Sequence, residues 1–189
     1  MKLLYHFIYY SAIAIWIFPP LRQIKSKYFY FFLFLILSEI FAYIFHKLFI
    51  TNTIVIYSVF SYLLVISLFN SNTVKKNIYY LIAALIILVL SSSYIKPLND
   101  IYLIFFQALM FVIILKNIIL HFISNRIINV FQLVLAFYVL TLITKFLNLF
   151  TGTADAYTYF IITSTFEILF GLFFSIFKAD NSRLVLQFK

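Results

Sequence analysis

The chain alternates between long apolar runs and short polar gaps, and seven such runs can be separated. A helix needs about 20 mostly apolar residues to cross the hydrocarbon core of a bilayer, with roughly 17 to 25 tolerated. The runs are continuous, which favours helices over the alternating strands of a membrane barrel. The pattern therefore predicts an all-α membrane protein, a seven-transmembrane-helix bundle forming one domain, with helices at about 3–18, 28–48, 53–69, 78–94, 101–122, 128–150 and 157–177.

Basic residues collect in every second gap between these runs. Nine lie in gaps one, three and five and after the seventh run, whereas three lie on the other side. Short loops rich in Lys and Arg stay in the cytoplasm, so the amino terminus is predicted outside and the carboxyl terminus inside, with 178–189 as a short cytoplasmic tail. The nine are Arg22, Lys25, Lys27, Lys75, Lys76, Arg126, Lys178, Arg183 and Lys189, and the three are Lys2, Lys47 and Lys96.

The composition supports lipid as the solvent of this chain. Hydrophobic residues make up 66% of the sequence and charged residues 10%, whereas soluble domains carry roughly a quarter charged residues. The net charge of +9 divides among short cytoplasmic loops, so anionic lipid headgroups are the predicted partners and nucleic acid is not. Cysteine is absent, which excludes disulfides and thiolate metal sites. The predicted location is the bacterial inner (cytoplasmic) membrane.

Residues that break helices mark the ends of the runs. Pro19-Pro20 predicts the end of the first helix, because proline cannot donate a backbone hydrogen bond and its ring clashes with the preceding turn. The ends of the first and fourth helices are the least sharply defined, since both runs are short and bounded by polar residues. Turns on the outer side are predicted at Asn52, Asn99-Asp100 and Thr151-Gly152-Thr153.

The first run has an alternative interpretation as a cleaved secretory signal. Lys2, the apolar stretch after it and Ala12-Ile13-Ala14 loosely match such a signal with its small-residue cleavage site. The apolar core before that site is very short and contains His6. The basic residues just downstream also resist export. A retained first helix is therefore the favoured interpretation.

Several polar side chains are predicted at membrane depth, where a charge costs about 2.5–3.5 kcal/mol on insertion scales. Glu39 lies near the middle of the second helix, with Tyr43 and His46 on the same face. Glu167 lies near the middle of the seventh helix. With the predicted orientation these residues fall in the outer half of the membrane, as an outward-opening polar cavity requires. The candidate cavity residues are Glu39, Tyr43, His46, Gln107, Thr141, Lys145, Asn148, Thr163 and Glu167.

Two interpretations of this polar set remain open. In the first, Lys145 neutralises a glutamate and interhelical hydrogen bonds, worth about 0.6 kcal/mol each on average, fasten the helices. In the second, the set forms a ligand or ion site. Both interpretations predict Lys145 within reach of Glu39 or Glu167, because an unpaired charge at that depth is costly.

Catalytic and metal-binding patterns are missing from the sequence. No histidine pair has metal-ligand spacing, and the sequence contains no Gly-x-Ser-x-Gly, glycine-rich phosphate loop or His-Glu-x-x-His. No cofactor, no metal and no catalytic residue is therefore predicted. Two glutamates at membrane depth could in principle transfer protons, but they lie on different helices without a companion motif.

The helix pattern resembles that of known membrane families over nearly the whole chain. Seven short-looped helices, together with Ser38-Glu39, the aromatic stretch 57–62, Gln107 and the segment 163–167, resemble small uncharacterised seven-helix proteins of Bacteroidota. They are also similar to the membrane-sensor modules fused to histidine kinases. This resemblance implies a sensor-type bundle with a cytoplasmic or membrane signalling partner. Such relatives are expected to carry other polar residues in the third and seventh helices, where this chain has Ser58 and Glu167.

Two other families share single features with this chain. Pro20-Leu21-Arg22-Gln23 resembles the hallmark of the PQ-loop carriers, but the matching segment 121–132 has no proline. A microbial rhodopsin is similar in helix count, yet the seventh helix has no lysine for a retinal Schiff base. Neither family accounts for the sequence.

Three functional hypotheses follow from these observations. The first is a receptor-like or accessory membrane protein with a polar cavity in its outer half. The second is a small transporter that uses an intramembrane glutamate, Glu39 or Glu167, to carry a proton or cation. The third is an intramembrane enzyme.

Overall fold

A computed structural model describes residues 2–49, 53–94, 96–152 and 155–187 of the chain. The described part is helical apart from two three-residue strands, a short 3-10 turn and connecting segments. Asn52, Thr153 and Lys189, for which turns or a tail were predicted, lie outside the described residues. The helices are α1 (Lys2–Trp16), α2 (Phe18–Arg22), α3 (Phe29–Phe49), α4 (Thr53–Ser67), α5 (Ser71–Lys76), α6 (Ile78–Tyr94), α7 (Lys96–Asn125), α8 (Val130–Thr151) and α9 (Ala156–Ile176).

Four helices of the described chain are long and apolar enough to cross a membrane, namely α3, α7, α8 and α9. The helices α4 and α6 are equally apolar but shorter, and the 15 residues of α4 rise only about 22 Å. Large apolar side chains face outward, including Ile87 at 66% and Ile123 at 72% exposed. A water-soluble fold would bury such residues, so these faces suit a hydrocarbon environment.

Each of the seven predicted ranges overlaps one helix of 15 residues or more. The range 78–94 has the same bounds as α6, and the ends of α3, α8 and α9 differ from their predicted ranges by at most two residues. The largest difference is at α7, which begins at Lys96 and ends at Asn125. The predicted turn at Gly152 is present, with φ at 61° and its N–H donated to the carbonyl of Asn148.

Six of these helices pack in a closed ring. The chain of contacts runs from α3 to α4, to α7, to α8, to α9, to α1 and back to α3. The helix α6 packs outside this ring, against α4 and α7. The ring therefore has an interior to which α1, α3, α4, α7, α8 and α9 can all contribute side chains.

The first predicted helix end is close to the observed one, and one predicted turn is wrong. The helix α1 ends at Trp16, before the Pro19-Pro20 pair, and the pair itself occupies the first turn of the short helix α2, where the missing N–H groups would have no helical partner. Asn99 and Asp100 do not form a turn but lie inside α7. Asn99 is buried, and its backbone carbonyl accepts a hydrogen bond from Ser58 while its amide donates to the carbonyl of Ser92. These tertiary contacts stabilise a helical conformation that the local sequence does not favour.

The segment after α9 is folded back onto the bundle. Strand β1 (Ile127–Asn129) pairs antiparallel with β2 (Val185–Gln187). The fully buried Gln23 donates to the carbonyls of Phe174 and Phe177 and accepts from the N–H of Ala179. The predicted tail 178–189 therefore contains ordered contacts in its described part, and α2, the end of α9 and the α7–α8 connection are tied together at this end.

Large aromatic residues fill the same end of the ring. We call Trp16, Phe32, Phe131, Tyr138 and Phe174 the aromatic layer. Its ring centroids lie 4.7 Å apart for Trp16 and Tyr138, 4.9 Å for Phe32 and Phe174, and 5.1 Å for Phe131 and Phe174. Phe32, Phe131 and Phe174 have no exposed surface. This layer closes one end of the ring interior.

Candidate functional site

The ring interior contains a cavity of about 250 Å³, which we call the central cavity. All six ring helices line it, and α6 does not. Trp16 and Tyr138 of the aromatic layer form its floor, and Phe160 and Leu149 line it near the α8–α9 connection. The cavity therefore extends from the aromatic layer toward the end of the bundle that carries the α3–α4 and α8–α9 connections.

The spacing of residues along α8 and α9 places charged groups in this cavity. Tyr138, Leu142, Lys145 and Leu149 follow one another at intervals of three or four positions, which puts them on one helix face. Phe160, Ser164 and Glu167 repeat this spacing on α9. Because α8 and α9 are neighbours in the ring, their lining faces meet.

Lys145 and Glu167 form a salt bridge between these two faces. The Lys145 ammonium donates to Oε1 of Glu167 at 2.5 Å. The side chains are 31% and 14% exposed, so both are largely removed from the surroundings of the bundle. The prediction that Lys145 lies within reach of one of the two glutamates is confirmed. The pair joins α8 to α9 and presents both charges to the central cavity.

Glu39 lines the opposite wall, on α3. Its Oε2 accepts a hydrogen bond of 3.1 Å from the hydroxyl of Tyr57 on α4. Lys145 and Glu167 line the same cavity as Glu39. The central cavity therefore brings together two carboxyl groups and one ammonium group from three different helices.

Gln107 adds an amide from α7. Its Nε2 donates to the hydroxyl of Ser61 on α4 at 3.2 Å. Its Oε1 accepts no hydrogen bond within the described part of the chain, although the residue is only 3% exposed. A buried acceptor without a partner costs about 1–3 kcal/mol, so such groups in folded proteins usually meet water or a ligand.

The nine predicted cavity residues divide into two groups. Glu39, Gln107, Lys145 and Glu167 line the central cavity. The other five lie elsewhere. Tyr43 and His46 are exposed, and Asn148 is partly buried outside the lining. Thr163 donates to the carbonyl of Tyr159, and Thr141 lines a separate apolar groove between α8 and α9.

The face predicted from Glu39 through Tyr43 to His46 therefore does not continue along the cavity. Tyr43 is 42% exposed, and the ammonium of Lys47 lies 5.9 Å from the centre of its ring. The lining residues of α3 are instead Leu35, Ser38 and Glu39, so the helix presents its earlier turns to the ring interior. An access path along Tyr43 and His46 is not part of this lining.

Several lining residues were missed in the sequence. Tyr57, Phe60, Ser61 and Leu64 on α4 have the spacing of a single helix face, as have Ala12, Ile13 and Trp16 on α1. This periodicity is the signal that could have identified them. In a chain as apolar as this one, however, the same periodicity is typical of ordinary packing, and only the polar members of a face attract notice.

The described residues contain no group of three or more His, Cys, Asp or Glu side chains that could hold a metal ion. The described lining of the central cavity offers two carboxyl groups, one ammonium, an amide, hydroxyls and aromatic rings. These groups can bind a small molecule by charge, hydrogen bonding and apolar contact.

Comparisons with known proteins give this chain no relative. No protein family, curated protein or solved structure matches it. The resemblance to seven-helix sensor modules therefore stays a prediction.

Proposed function

We propose that the protein is a receptor-like or accessory membrane protein that binds a small ligand in the central cavity. The observation that carries this proposal is the convergence of all six ring helices on one cavity with charged side chains and an amide. If these polar groups only joined the helices through hydrogen bonds and a salt bridge, no open space would be needed beside them. Small-molecule sites in proteins are mostly apolar pockets with a few convergent polar groups, and this cavity has that character.

The proposal includes seven membrane-spanning helices with the amino terminus outside, in the bacterial inner membrane. The seven helices that overlap the predicted ranges and the nine-to-three division of basic residues support it. A reporter active only in the cytoplasm should work in the Lys75-Lys76 loop and after Lys189, and should be silent at Asp155. Activity at Asp155 with silence after Lys189 would reverse the orientation.

The ligand-binding proposal can be tested with a matched pair of substitutions on α1. Ala12 is buried and lines the central cavity, whereas Ala14 is exposed on the same helix. A thermal-shift screen of small molecules on the purified protein should find compounds that raise the melting temperature. Ala12→Leu should abolish these shifts by filling the cavity, and Ala14→Leu should keep them. A screen without any such compound, or equal shifts in both variants, contradicts the proposal.

Transport is a second candidate function, and the position of Glu39 favours it. The carboxyl group lies at the cavity wall near the middle of α3, where it could carry a proton or cation. Reconstituted vesicles distinguish the two functions. An imposed pH gradient drives net uptake of substrate through a proton-coupled transporter, whereas a receptor binds its ligand without moving it across the membrane. Glu39→Gln should abolish coupled movement while leaving the fold intact.

A signalling partner on the basic side completes the receptor proposal. The segment after α9 is held by Gln23 and by β1, and Arg22 donates to the carbonyl of Ile176 at the end of α9. A shift of α9 caused by a ligand near Glu167 would therefore reach this end of the bundle. Co-purification of a kinase or regulator that is lost when 178–189 is deleted would support the partner.

A further inference from the structure

The charges that line the central cavity do not balance. Glu39 and Glu167 each bring a carboxyl group, and Lys145 brings the one ammonium among the described lining residues. Lys145 is held by Glu167 at 2.5 Å, on the side of α8 and α9. Glu39 lies across the cavity on α3, where the hydroxyl of Tyr57 donates to it. With all three groups ionised, the described lining has one negative charge in excess, which a proton on one carboxyl group or a bound cation would neutralise.

The amide of Gln107 points to the same kind of ligand. Its Nε2 donates to the hydroxyl of Ser61, and its carbonyl oxygen, an acceptor, receives no hydrogen bond from the residues that the structure describes. A ligand that satisfies this oxygen must donate a hydrogen. An ammonium group carries several N–H donors, and it can serve a carboxylate and an amide oxygen together.

The remaining walls fit an apolar body and not a bare metal ion. Trp16, Phe60, Tyr138 and Phe146 line the cavity, and aromatic faces attract organic cations. The cavity volume of about 250 Å³ lies slightly below the range of about 300–1,000 Å³ for drug-sized ligands. One buried water needs only about 10–15 Å³ of such space, so the cavity has room for a compact organic molecule.

We infer that the ligand of the central cavity is a small organic ammonium ion with a compact apolar body, and that Glu39 is its counter-ion. This inference rests on the proposed ligand-binding function and adds the chemical class of the ligand. In it, Gln107 accepts a second hydrogen bond from the ammonium, and the aromatic walls contact the apolar body.

The chain provides its own probe for this inference, since Trp16 is the sole tryptophan of the sequence and lines the cavity. The protein would be placed in nanodiscs of zwitterionic lipid at fixed NaCl concentration, so that the lipid does not concentrate cations. Trp16 fluorescence would then be titrated with cyclohexylamine, cyclohexanol and cyclohexanecarboxylate at neutral pH. The three compounds share one ring and differ in the charge of the attached group.

We expect the amine to bind about 10- to 100-fold more tightly than the alcohol, as befits a hydrogen bond to a charged group, and the carboxylate to bind most weakly. Glu39→Gln should bring the amine to the affinity of the alcohol without changing the affinity for the alcohol. Asp100→Asn, which removes a carboxylate that does not line the cavity, should keep the preference for the amine.

The possible outcomes separate the ligand class from the ligand-binding function. Saturable binding of the alcohol or the carboxylate without preference for the amine overturns the cation assignment and leaves ligand binding standing. A preference for the amine that survives Glu39→Gln overturns the role of Glu39. The absence of a saturable change with all three compounds overturns both proposals. The selectivity of the unmodified protein decides the charge class even where a variant fails to fold.

Discussion

The two ends of the helix ring are packed in different ways. At one end Trp16, Phe32, Phe131, Tyr138 and Phe174 from α1, α3, α8 and α9 pack together, and the three phenylalanines are fully buried. At the other end all six ring helices line a cavity of about 250 Å³ with charged and polar groups. The comparison shows that one bundle contains both a closely packed apolar end and an end where charged side chains lie beside open space.

The two ends are expected to contribute differently to the free energy of folding, because they differ in packing density. Buried aromatic residues in close contact carry large dispersion and transfer energies, so the aromatic layer is expected to supply most of the ring's stability. A cavity lined by carboxyl groups, an ammonium and an amide oxygen that accepts no hydrogen bond from the described residues costs free energy. Proteins commonly accept such a local cost where a site must bind.

The largest expected effect compares two phenylalanines on α9. Phe174→Ala removes a fully buried ring from the aromatic layer and should destabilise the protein by about 3–5 kcal/mol. Phe160→Ala removes a partly buried ring at the cavity wall and should cost less than about half as much, because open space already lies beside it. Melting temperatures in one detergent would compare them. Equal losses would mean that the two ends are packed alike.

The next effect concerns the salt bridge of the cavity. Lys145→Met leaves the Glu167 carboxylate without its ammonium partner and should destabilise the bundle by about 2 kcal/mol, less than a fully buried pair would lose because both side chains are partly exposed. The double variant Lys145→Met with Glu167→Leu should recover most of this loss, since a buried pair adds little net stability. A double variant as unstable as the single one would refute this account of the pair.

A smaller effect is expected at Gly171, where α1 and α9 approach closely. A Cβ atom on Gly171 would lie 2.5 Å from Cγ2 of Ile15, so Gly171→Ala should cost about 1 kcal/mol as Ile15 moves aside. Adding Ile15→Ala should remove the clash, although that change carries its own packing cost. In a double-mutant cycle, the double variant should therefore lose less free energy of unfolding than the sum of the two single variants. A coupling of zero would show that the helices do not touch there.

The smallest effect on stability is expected at Glu39. Glu39→Gln keeps the shape and the hydrogen bond from Tyr57 and removes the charge. We expect a melting temperature close to that of the unmodified protein, with a change of less than about 1 kcal/mol, together with a loss of cation binding. A marked loss of stability would assign Glu39 to the fastening of helices and not to binding.

The sequence predicts the helices of this molecule better than its cavity. Continuous apolar runs determine where long helices form, and the range 78–94 has the same bounds as α6. Local signals were misleading where tertiary contacts intervene. Asn99 is a turn residue by type, but inside α7 it bonds with Ser92 and Ser58.

The candidate site was predictable where a charge had to be buried. Lys145 was expected within reach of Glu39 or Glu167, because an unpaired charge at membrane depth is costly, and it forms a salt bridge with Glu167. Tyr57 and Trp16 could not be found in this way, since aromatic residues are abundant throughout the chain. The pairing of β1 with β2 was missed as well, because a three-residue strand depends on a partner more than 50 positions away.

The most direct test of the difference between the two ends uses the absence of cysteine from the chain. A single cysteine would be introduced at the cavity by Ser61→Cys. The two controls are Ser58→Cys, on the same helix outside the lining, and Ala136→Cys, in the core near the aromatic layer. All three native residues are at most 4% exposed. Their reaction with methyl methanethiosulfonate, a small neutral reagent, would be followed by mass spectrometry. We expect the rate at Ser61→Cys to exceed both controls by at least about an order of magnitude, because a packed site reacts only through local unfolding. Equal rates at the three positions would contradict a central cavity open to small molecules.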